Sequence, residues 1–454
     1  MSDELPTASR IGDPGLRALY KLENRWQAWL DVEVALARAQ AELGIIPAAA
    51  VEPIARAARL ELMDRARIDE AYARTAHTIV PLVWELSRLV GEPHGGWVHW
   101  GATTQNITQT GDLLVLRQAH RIFLGQIREI LAAMADLAER GADMPIPGRT
   151  HGQHAVPATF GFKVAVWIDE LLRHRERFQQ AAPRIFVAML GGGAGTFASL
   201  GAQGPVVQAG IARHLDMTPM NVPARVIGDH LAENVCLLGL LAATCGKIAR
   251  EIYTLMKTEF GEVEEPVPPG TVGSSTMPQK RNPKLCQDII AAAAEVRSIV
   301  PLALEAMQAE HEADRATSVI QDSAEARACI ATGDMLARLA TVMRGLTLKP
   351  ARMRANLDLA GGLIVAEAVM LELGATIGRQ HAHDVVYDAA QAAVVEGKPF
   401  AALLAADRRV TEHLDRKAID KLLDPTAYTG LCATMAREAA ARARTAASEP
   451  RANA

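Results

Sequence analysis

The stretch 111-GDLLVLRQAHRIFLGQIREILAAMADL-137 decides the fold class of this chain. Side chains that would face a core recur in it at alternating steps of three and four residues: Leu113, Leu116, His120, Phe123, Ile127, Ile130, Met134 and Leu137. This spacing is typical of a continuous seam along one α-helix. At 1.5 Å per residue, a helix of about 27 residues is roughly 40 Å long, so it needs equally long neighbours to cover the seam.

Long neighbouring helices are predicted on the C-terminal side of this stretch. Helical apolar patterns of similar length cover residues 157–182, 223–260, 285–309 and 323–343. An earlier amphipathic helix contains WQAWLDVEVALARAQAEL, residues 26–43, and shorter helices follow residue 348. We therefore predict an all-α fold with three helical domains around a central long-helix bundle. The expected bounds are 1–105 for the N-terminal domain, 106–348 for the bundle and 349–454 for the C-terminal domain.

Composition excludes several classes of protein. At 454 residues the chain can bury a large core without disulfides or structural metal ions. Its five cysteines contain no CxxC pair, which favours reduced thiols and a cytoplasmic location. We find neither a signal segment nor a stretch long and uncharged enough to span a bilayer, so no membrane partner is expected. The net charge of -4 and the aromatic content of 4% argue against a nucleic-acid partner.

The first of three polar segments is VHWGATTQNITQTGD, residues 98–112. Thr103, Thr104 and Asn106 stand just before the long helix, together with Gln105. Free backbone N–H groups and the positive end of the helix dipole favour an anion at such a position. One N-cap needs only one of these side chains. The segment is interpreted as a carboxylate-binding site, with helix capping alone as the alternative.

The second polar segment is PGRTHGQHAVPATFG, residues 147–161. His151 and His154 are three residues apart, beside Arg149 and Gln153, and a helix is expected to begin near Pro157. The HExxH spacing and a third ligand are missing, so no metal site is predicted. Two alternatives remain: acid–base chemistry, or histidines that are satisfied by the backbone.

The third polar segment is GTVGSSTMPQKRNPK, residues 270–284, within a stretch rich in proline and glycine. We predict a loop over residues 264–283 between two long helices, because so many prolines and glycines do not fit regular structure. The loop presents Ser274, Ser275, Lys280 and Asn282 close together. Long loops in compact domains are often functional, although a solvated connector remains the alternative.

The chain contains no nucleotide-binding GxxxxGK[ST] motif and no GxSxG motif, and no recognisable strand precedes GGGAGT at Gly191. No cofactor is therefore expected. Anion-binding donors, histidines and a serine next to a lysine suit removal of a proton adjacent to a carboxylate. That reaction produces an enolate-like dianion, which preorganised donors and a cation must stabilise.

Three motifs resemble conserved regions of the fumarase/aspartase superfamily. GSSTMPQKRNP, residues 273–283, closely resembles its signature loop GSSxMPxKxNP. WGATTQNITQTG is similar to the first conserved region, and GRTHGQHAVPATFG to the second region of adenylosuccinate lyases. The segments AWLDVEVALARAQAELGIIP, GRQHAHDVVYDAA and LLDPTAYTG look more like 3-carboxy-cis,cis-muconate cycloisomerases. The resemblance extends over nearly the whole chain.

The resemblance implies a homotetramer with a shared helical core, in which each active site is built from three subunits and takes a small dicarboxylate-type substrate. By motif position, Ser274 matches the catalytic base and His151 the general acid. The matches to substrate-binding positions are Thr103, Thr104, Asn106, Gln153, Lys280 and Asn282. Secondary candidates are Ser275, His77 in a TAHT stretch where adenylosuccinate lyases have a TRHD-like one, and Arg315 in HEADRATSVIQDSAEA.

Departures from each branch guide the choice of reaction. The HEADRATSVIQDSAEA segment lacks arginines that hold the nucleotide phosphate in adenylosuccinate lyases, and Asn106 replaces the aspartate that is usual in cycloisomerases. Cycloisomerases also often lack the histidine that corresponds to His151. The leading prediction is a C–N lyase that eliminates an amine from an N-substituted aspartate or related succinyl compound and releases fumarate. The alternatives are a 3-carboxy-cis,cis-muconate cycloisomerase, an adenylosuccinate lyase and an inactive structural homologue.

Overall fold

Helices dominate the computed structural model of the protein, which describes residues 11–267, 270 and 272–449. Pro268 and Pro269, in the predicted loop, lie outside the described residues. The α-helices are Leu16–Leu19 (α1), Leu22–Glu42 (α2), Val51–Ala57 (α3), Arg65–Thr75 (α4), Val80–Val90 (α5), Thr104–Arg140 (α6), Phe160–Ile185 (α7), Gly204–Leu215 (α8), Asp229–Leu255 (α9), Lys284–Glu305 (α10), Arg315–Gly345 (α11), Pro350–Asp358 (α12), Ala366–Ile377 (α13), Arg379–Glu396 (α14), Phe400–Ala406 (α15), Arg408–Thr411 (α16), Arg416–Leu422 (α17) and Cys432–Ser448 (α18). Short 3₁₀ helices lie at Ala48–Ala50, Leu60–Leu62, His94–Trp97, Gly201–Gln203, Leu363–Val365 and Pro425–Ala427.

In the described part of the chain, three small two-stranded sheets accompany the helices. The strands are Pro145–Thr150 (β1), Gln153–Thr159 (β2), Val187–Ala188 (β3), Thr218–Pro219 (β4), Val263–Glu264 (β5) and Thr347–Leu348 (β6). β1 pairs with β2 and β5 with β6 in antiparallel fashion, whereas β3 and β4 are parallel. The expectation that no strand precedes Gly191 is wrong, because β3 ends three residues before it. Helices nevertheless account for 69% of the chain, so the all-α prediction is confirmed.

The central bundle is built from the long helices that the apolar periodicity predicts. α6, α7, α9, α10 and α11 pack side by side, and every predicted seam residue of α6 from Leu113 to Leu137 is buried. α7 begins at Phe160, later than the predicted start at Pro157, because residues 153–159 pair with 145–150 as a hairpin. α10 runs through Pro301 to Glu305. The bundle positions the segments that carry the polar residues at its helix ends.

The apolar core crosses the boundaries expected near residues 105 and 348. The main cluster joins the bundle helices to Leu16 and to α18, which packs against α6 and α7. A second cluster lies between α2 to α5, the start of α6 and α8, and a third lies within α13 to α17. The three-domain division stays a prediction. The last helix of the chain returns to the central bundle because its alanines at one face fit closely between α6 and α7.

Among the described residues, one helix is long and apolar enough to cross a membrane by length and composition, contrary to the expectation from the sequence. This helix is α9, and 67% of its apolar window is buried inside the protein. It packs against α7, α10 and α11, which explains why its side chains are apolar on several faces. A bent pair, Pro350–Asp358 with Leu363–Ile377, also passes the composition test, but its two parts meet at 85°.

Candidate active site

The first polar segment forms the N-terminus of α6. Asn106 is completely buried, and its Oδ1 accepts hydrogen bonds from the N–H groups of Thr103 at 3.1 Å and Gly192 at 3.2 Å. The Asn106 Nδ2 has no partner among the described residues. Asn106 therefore joins the start of α6 to the glycine-rich 191–195 loop. Thr104 is the first residue of the helix and lines a cavity.

Arg225 lies next to this helix start and was missed by the sequence reasoning. Its Nε donates to Gln105 Oε1 at 2.9 Å, its Nη1 donates to the Gly193 carbonyl at 2.8 Å, and its own carbonyl accepts from Gln105 Nε2 at 2.7 Å. These bonds hold the Arg225 guanidinium beside Thr104 at the same cavity. Nothing in the sequence pattern around residue 225 indicates this contact, because its partners lie far away along the chain.

His151 occupies the turn of the β1–β2 hairpin. Thr150 pairs with Gln153, so the connection consists of His151 and Gly152 alone. Their φ angles are 50° and 78°, as a two-residue hairpin turn of the left-handed type requires. Glycine tolerates this conformation, whereas it strains a histidine. The hairpin therefore places the exposed His151 at its tip, with exposed Gln153 beside it.

A buried ion pair holds this hairpin close to its turn. The Arg149 guanidinium donates to the two carboxylate oxygens of Glu262 at 2.7 and 3.0 Å, and its Cζ lies 4.8 Å from the centre of the Phe260 ring. Glu262 is completely buried and also accepts from Asn356 Nδ2 at 2.7 Å. His154 lies on the same hairpin, and burial, then the nearby Arg149 charge, lower its pKa. The ion pair thus ties the His151 hairpin to the residue just before β5.

Ser274 lies in the predicted loop between β5 and α10. Ser274 is half-buried, and its Oγ accepts hydrogen bonds from the backbone N–H of Met277 at 3.1 Å and, more weakly, of Thr276 at 3.4 Å. Backbone N–H donors favour the charged form of an oxygen that they contact. The neighbouring Ser275 is exposed and has no hydrogen-bond partner among the residues described. Of the two serines, only Ser274 accepts hydrogen bonds from backbone N–H groups among the described residues.

Carboxylates hold both ends of this loop. The buried Glu265 carboxylate accepts from the N–H groups of Leu285 and Cys286, both at 2.9 Å, and so caps α10; burial raises its pKa. Glu264 pairs with Lys349 at 2.8 Å and with Arg281 at 2.9 Å, and the hydrogen bond from Lys349 is the main reason that its pKa is lowered.

Asn282 and Lys280 differ in how they are held. Asn282 is half-buried, and its Nδ2 donates to the Gly273 carbonyl at 3.0 Å, which closes the loop on itself next to Ser274. Lys280 is exposed and has no ion-pair partner in the described part of the chain. Both residues line a cavity of about 170 Å³ with Glu265 and Leu285. The ammonium group of Lys280 is thus available to an anion.

Comparison with known proteins agrees with the fold and with these segments. A family model described as "Lyase" matches residues 10–298, and one described as "Adenylosuccinate lyase C-terminus" matches residues 362–439. The chain belongs to the fumarase/aspartase superfamily. It is a lyase by family, and members of this superfamily act on small dicarboxylate substrates.

Relatives within the superfamily have different activities. An N-acetyl-S-(2-succino)cysteine lyase of Enterococcus italicus is 38% identical over 92% of each chain. A 3-carboxy-cis,cis-muconate cycloisomerase of Pseudomonas aeruginosa is 39% identical over 91% of each chain. The crystal structure of a fumarate lyase from Mesorhizobium sp. BNC1 matches with a TM-score of 0.88 and 36% identity, covering 94% of this chain and 98% of the other. These relatives share the family and differ in the substrates that their names state.

One chain of this lyase brings some predicted site residues together and leaves others apart. Thr104 and Arg315 line one cavity of about 360 Å³, next to Thr78. Lys280 and Asn282 line the separate cavity below the loop, and His151 belongs to neither. His77 is half-buried, and its Nδ1 lies 3.4 Å from the Val80 N–H as an acceptor, which caps the start of α5. The roles assigned to all these residues stay predictions.

Proposed function

We propose that the protein eliminates an amine from an N-substituted aspartate or a related succinyl compound and releases fumarate. The observation that carries this proposal is the environment of Ser274, whose Oγ faces two backbone N–H donors on a loop that also carries Lys280. A serine acts as a base only where its alkoxide is stabilised, and these donors supply that stabilisation. The reaction class agrees with the superfamily, whose relatives include a lyase of a succinyl compound.

The proposed steps balance as an elimination. Ser274 removes a proton from the carbon adjacent to one carboxylate of the succinyl group, and that carboxylate takes up the developing charge. The Lys280 ammonium and the donors at the start of α6, including Thr104, stabilise the resulting dianion. The C–N bond then breaks, its electron pair leaves with nitrogen, and His151 transfers a proton to that nitrogen. The products are fumarate and the free amine.

We propose further that the active protein is a homotetramer in the cytoplasm, with each active site shared by three subunits. Separate placement of the Lys280 cavity, the Thr104 cavity and His151 in one chain supports the sharing of sites. The five cysteines, all within the described residues, are free thiols, which supports a reducing compartment. Exposed Leu240 and Val166 on the long bundle helices provide apolar surface for helix packing between subunits.

A second candidate leaving group is a thiol. The relative from Enterococcus italicus is named for a sulfur-linked succinyl substrate, and the same base and carboxylate contacts would serve C–S elimination. A lactone-forming cycloisomerase is the third candidate, supported by the relative from Pseudomonas aeruginosa. The three reactions share the carboxylate-stabilised intermediate and differ only in the atom that leaves or attacks.

The test is a screen in the reverse direction. Purified protein is incubated with excess fumarate and a panel of amines and thiols, and the loss of fumarate absorbance is followed. We expect consumption with at least one amine and a fall of roughly 1,000-fold or more in Ser274→Ala, because the variant loses its base. Ser275→Ala is the matched control and should keep most of the rate.

Consumption of fumarate with thiols alone would show that the leaving atom is sulfur and not nitrogen. Absence of any consumption, together with turnover of 3-carboxy-cis,cis-muconate, would replace the elimination by the cycloisomerase reaction. Unchanged turnover in Ser274→Ala would show that another residue is the base.

A further inference from the structure

The cavity that contains Thr104 is a channel between two bundle helices that run in the same direction. Thr104 and Asp112 line it from α6, whereas Arg315 and Glu325 line it from α11. Parallel packing continues beyond the cavity, where Gln126 Nε2 on α6 donates to a carbonyl of α11. At 1.5 Å per residue, the channel extends roughly 12 to 15 Å along the helices. Its volume of about 360 Å³ accommodates more than a fumarate-sized group.

Charge is separated along this channel. The end near Thr104 carries Arg225 and Arg315, neither of which has a carboxylate partner among the described residues, while Asp314 there caps α11 through the Ala316 N–H. The other end carries Asp112, Asp322 and Glu325 around one cation, Arg25. Among the described residues that line the acidic end, three are carboxylates and one is an arginine.

Hydrogen bonding at the acidic end is unequal. Asp112 is satisfied, because Arg25 donates to its two oxygens at 2.9 and 2.7 Å and Trp29 Nε1 donates at 3.0 Å. Asp322 has one weak contact, at 3.4 Å from Arg25. Glu325 is only 7% exposed and has neither a hydrogen bond nor an ion pair with any described residue. Buried carboxyl groups without a partner are rare and costly, so this one calls for an occupant of the cavity.

The occupant that fits is an organic cation. Burial and the charges of Asp112 and Asp322 raise the pKa of Glu325 to about 8, so its carboxyl is mostly protonated near pH 7, and a cation beside it would favour the charged form. The described carboxylates are not grouped so that they could hold a metal ion. A primary ammonium is compact and has three donors, which matches the free acceptor positions on Asp322 and Glu325. These two residues are three apart on α11 and so lie on the same face.

We propose that the acidic end of the channel binds an ammonium group on the leaving part of the substrate, so that the natural substrate is a succinyl derivative of a long-chain diamine or a basic side chain. This proposal rests on the proposed function for the identity of the succinyl end. The succinyl carboxylates lie at the end with Thr104 and Arg315, and the leaving chain follows α6 toward Asp112. Glu325 and Asp322 are specificity-determining residues in this arrangement.

The test compares two compounds of equal size, N-(5-aminopentyl)aspartate and N-hexylaspartate, which differ only in a terminal ammonium or methyl group. Their Kd values are measured by titration calorimetry on Ser274→Ala protein, so that turnover does not interfere. We expect the ammonium compound to bind about tenfold or more tightly, as for a charge-assisted hydrogen bond. Adding Glu325→Gln should remove most of this preference. Adding Asp322→Asn should reduce it without destabilising the core, because Asp322 is half-exposed. Glu372→Gln, an exposed carboxylate on α13, is the matched control.

Equal binding of the two compounds, weak binding of both, or a preference that survives both carboxylate changes would overturn the inference. Turnover by the unsubstituted protein is recorded separately. A binding preference without turnover of either compound would refute the elimination and leave the ammonium site standing. Turnover of both compounds at the same kcat/KM without a binding preference would refute the ammonium site and support the elimination.

Discussion

The ion pair between Arg149 and Glu262 offers the sharpest test of how the His151 hairpin is held. Glu262 is completely buried and receives three of its hydrogen bonds from Arg149 and Asn356. In Arg149→Met two of these bonds disappear, and the carboxylate keeps only Asn356. Breaking one partner of a buried pair costs about 3–5 kcal/mol of unfolding free energy, because the remaining charge stays buried.

The matched variant replaces both partners. In Arg149→Met/Glu262→Leu no buried charge remains, and Asn356 Nδ2 still donates to the Phe260 carbonyl at 2.9 Å. Replacing both ions by apolar side chains of similar volume is often neutral or stabilising, so the double variant should recover most of the loss. Denaturant-induced unfolding of the three proteins at one protein concentration, followed by circular dichroism, measures the differences.

Two results would refute this reasoning. A loss below about 1 kcal/mol in Arg149→Met would mean that the pair behaves like an exposed one. A double variant as unstable as the single one would mean that the Arg149 side chain acts by packing on Phe260 instead of by neutralising Glu262.

Two further predictions concern histidines. His151→Asn should lower kcat by roughly 100- to 10,000-fold with unchanged circular dichroism, because asparagine accepts the left-handed turn but does not replace the acid. The control is His154→Gln on the same hairpin. A similar fall of kcat in both variants would indicate a damaged hairpin. Burial lowers the pKa of His120 to about 4, although its Nε2 contacts Asn234 Oδ1 at 2.7 Å. As the pH falls below about 6.5, the unfolded chain therefore binds a proton at this histidine and the folded chain does not. The contribution of neutral, buried His120 to the free energy of unfolding is fully present above about pH 6.5. It is lost by about pH 4, a change of roughly 3 kcal/mol. His120→Gln keeps the donor to Asn234 and should flatten the pH dependence of unfolding free energy in this range; an unchanged slope would contradict the assignment.

Several features of the fold and of the site could be predicted from the sequence. The long helices follow from apolar spacing within single segments, which is a local property. The loop over residues 264–283 follows from its prolines and glycines, and the described part of it contains no helix. Ser274, Lys280 and Asn282 could be chosen because they stand close together in a recognisable motif. Such signals survive without tertiary information, since neighbours in sequence remain neighbours in the fold.

Other features needed the folded chain. Arg149 meets Glu262 across 113 positions, Asn106 meets Gly192 across 86, and the unpartnered Glu325 is visible only beside α6. The two-residue turn at His151 was hidden because residues 145–159 read as the approach to a helix, while their strand pairing depends on backbone bonds. Sequence periodicity reports which face of a segment is apolar. Packing of the helices decides which distant charges meet and which stay unpaired, because burial sets the strength of each electrostatic contact.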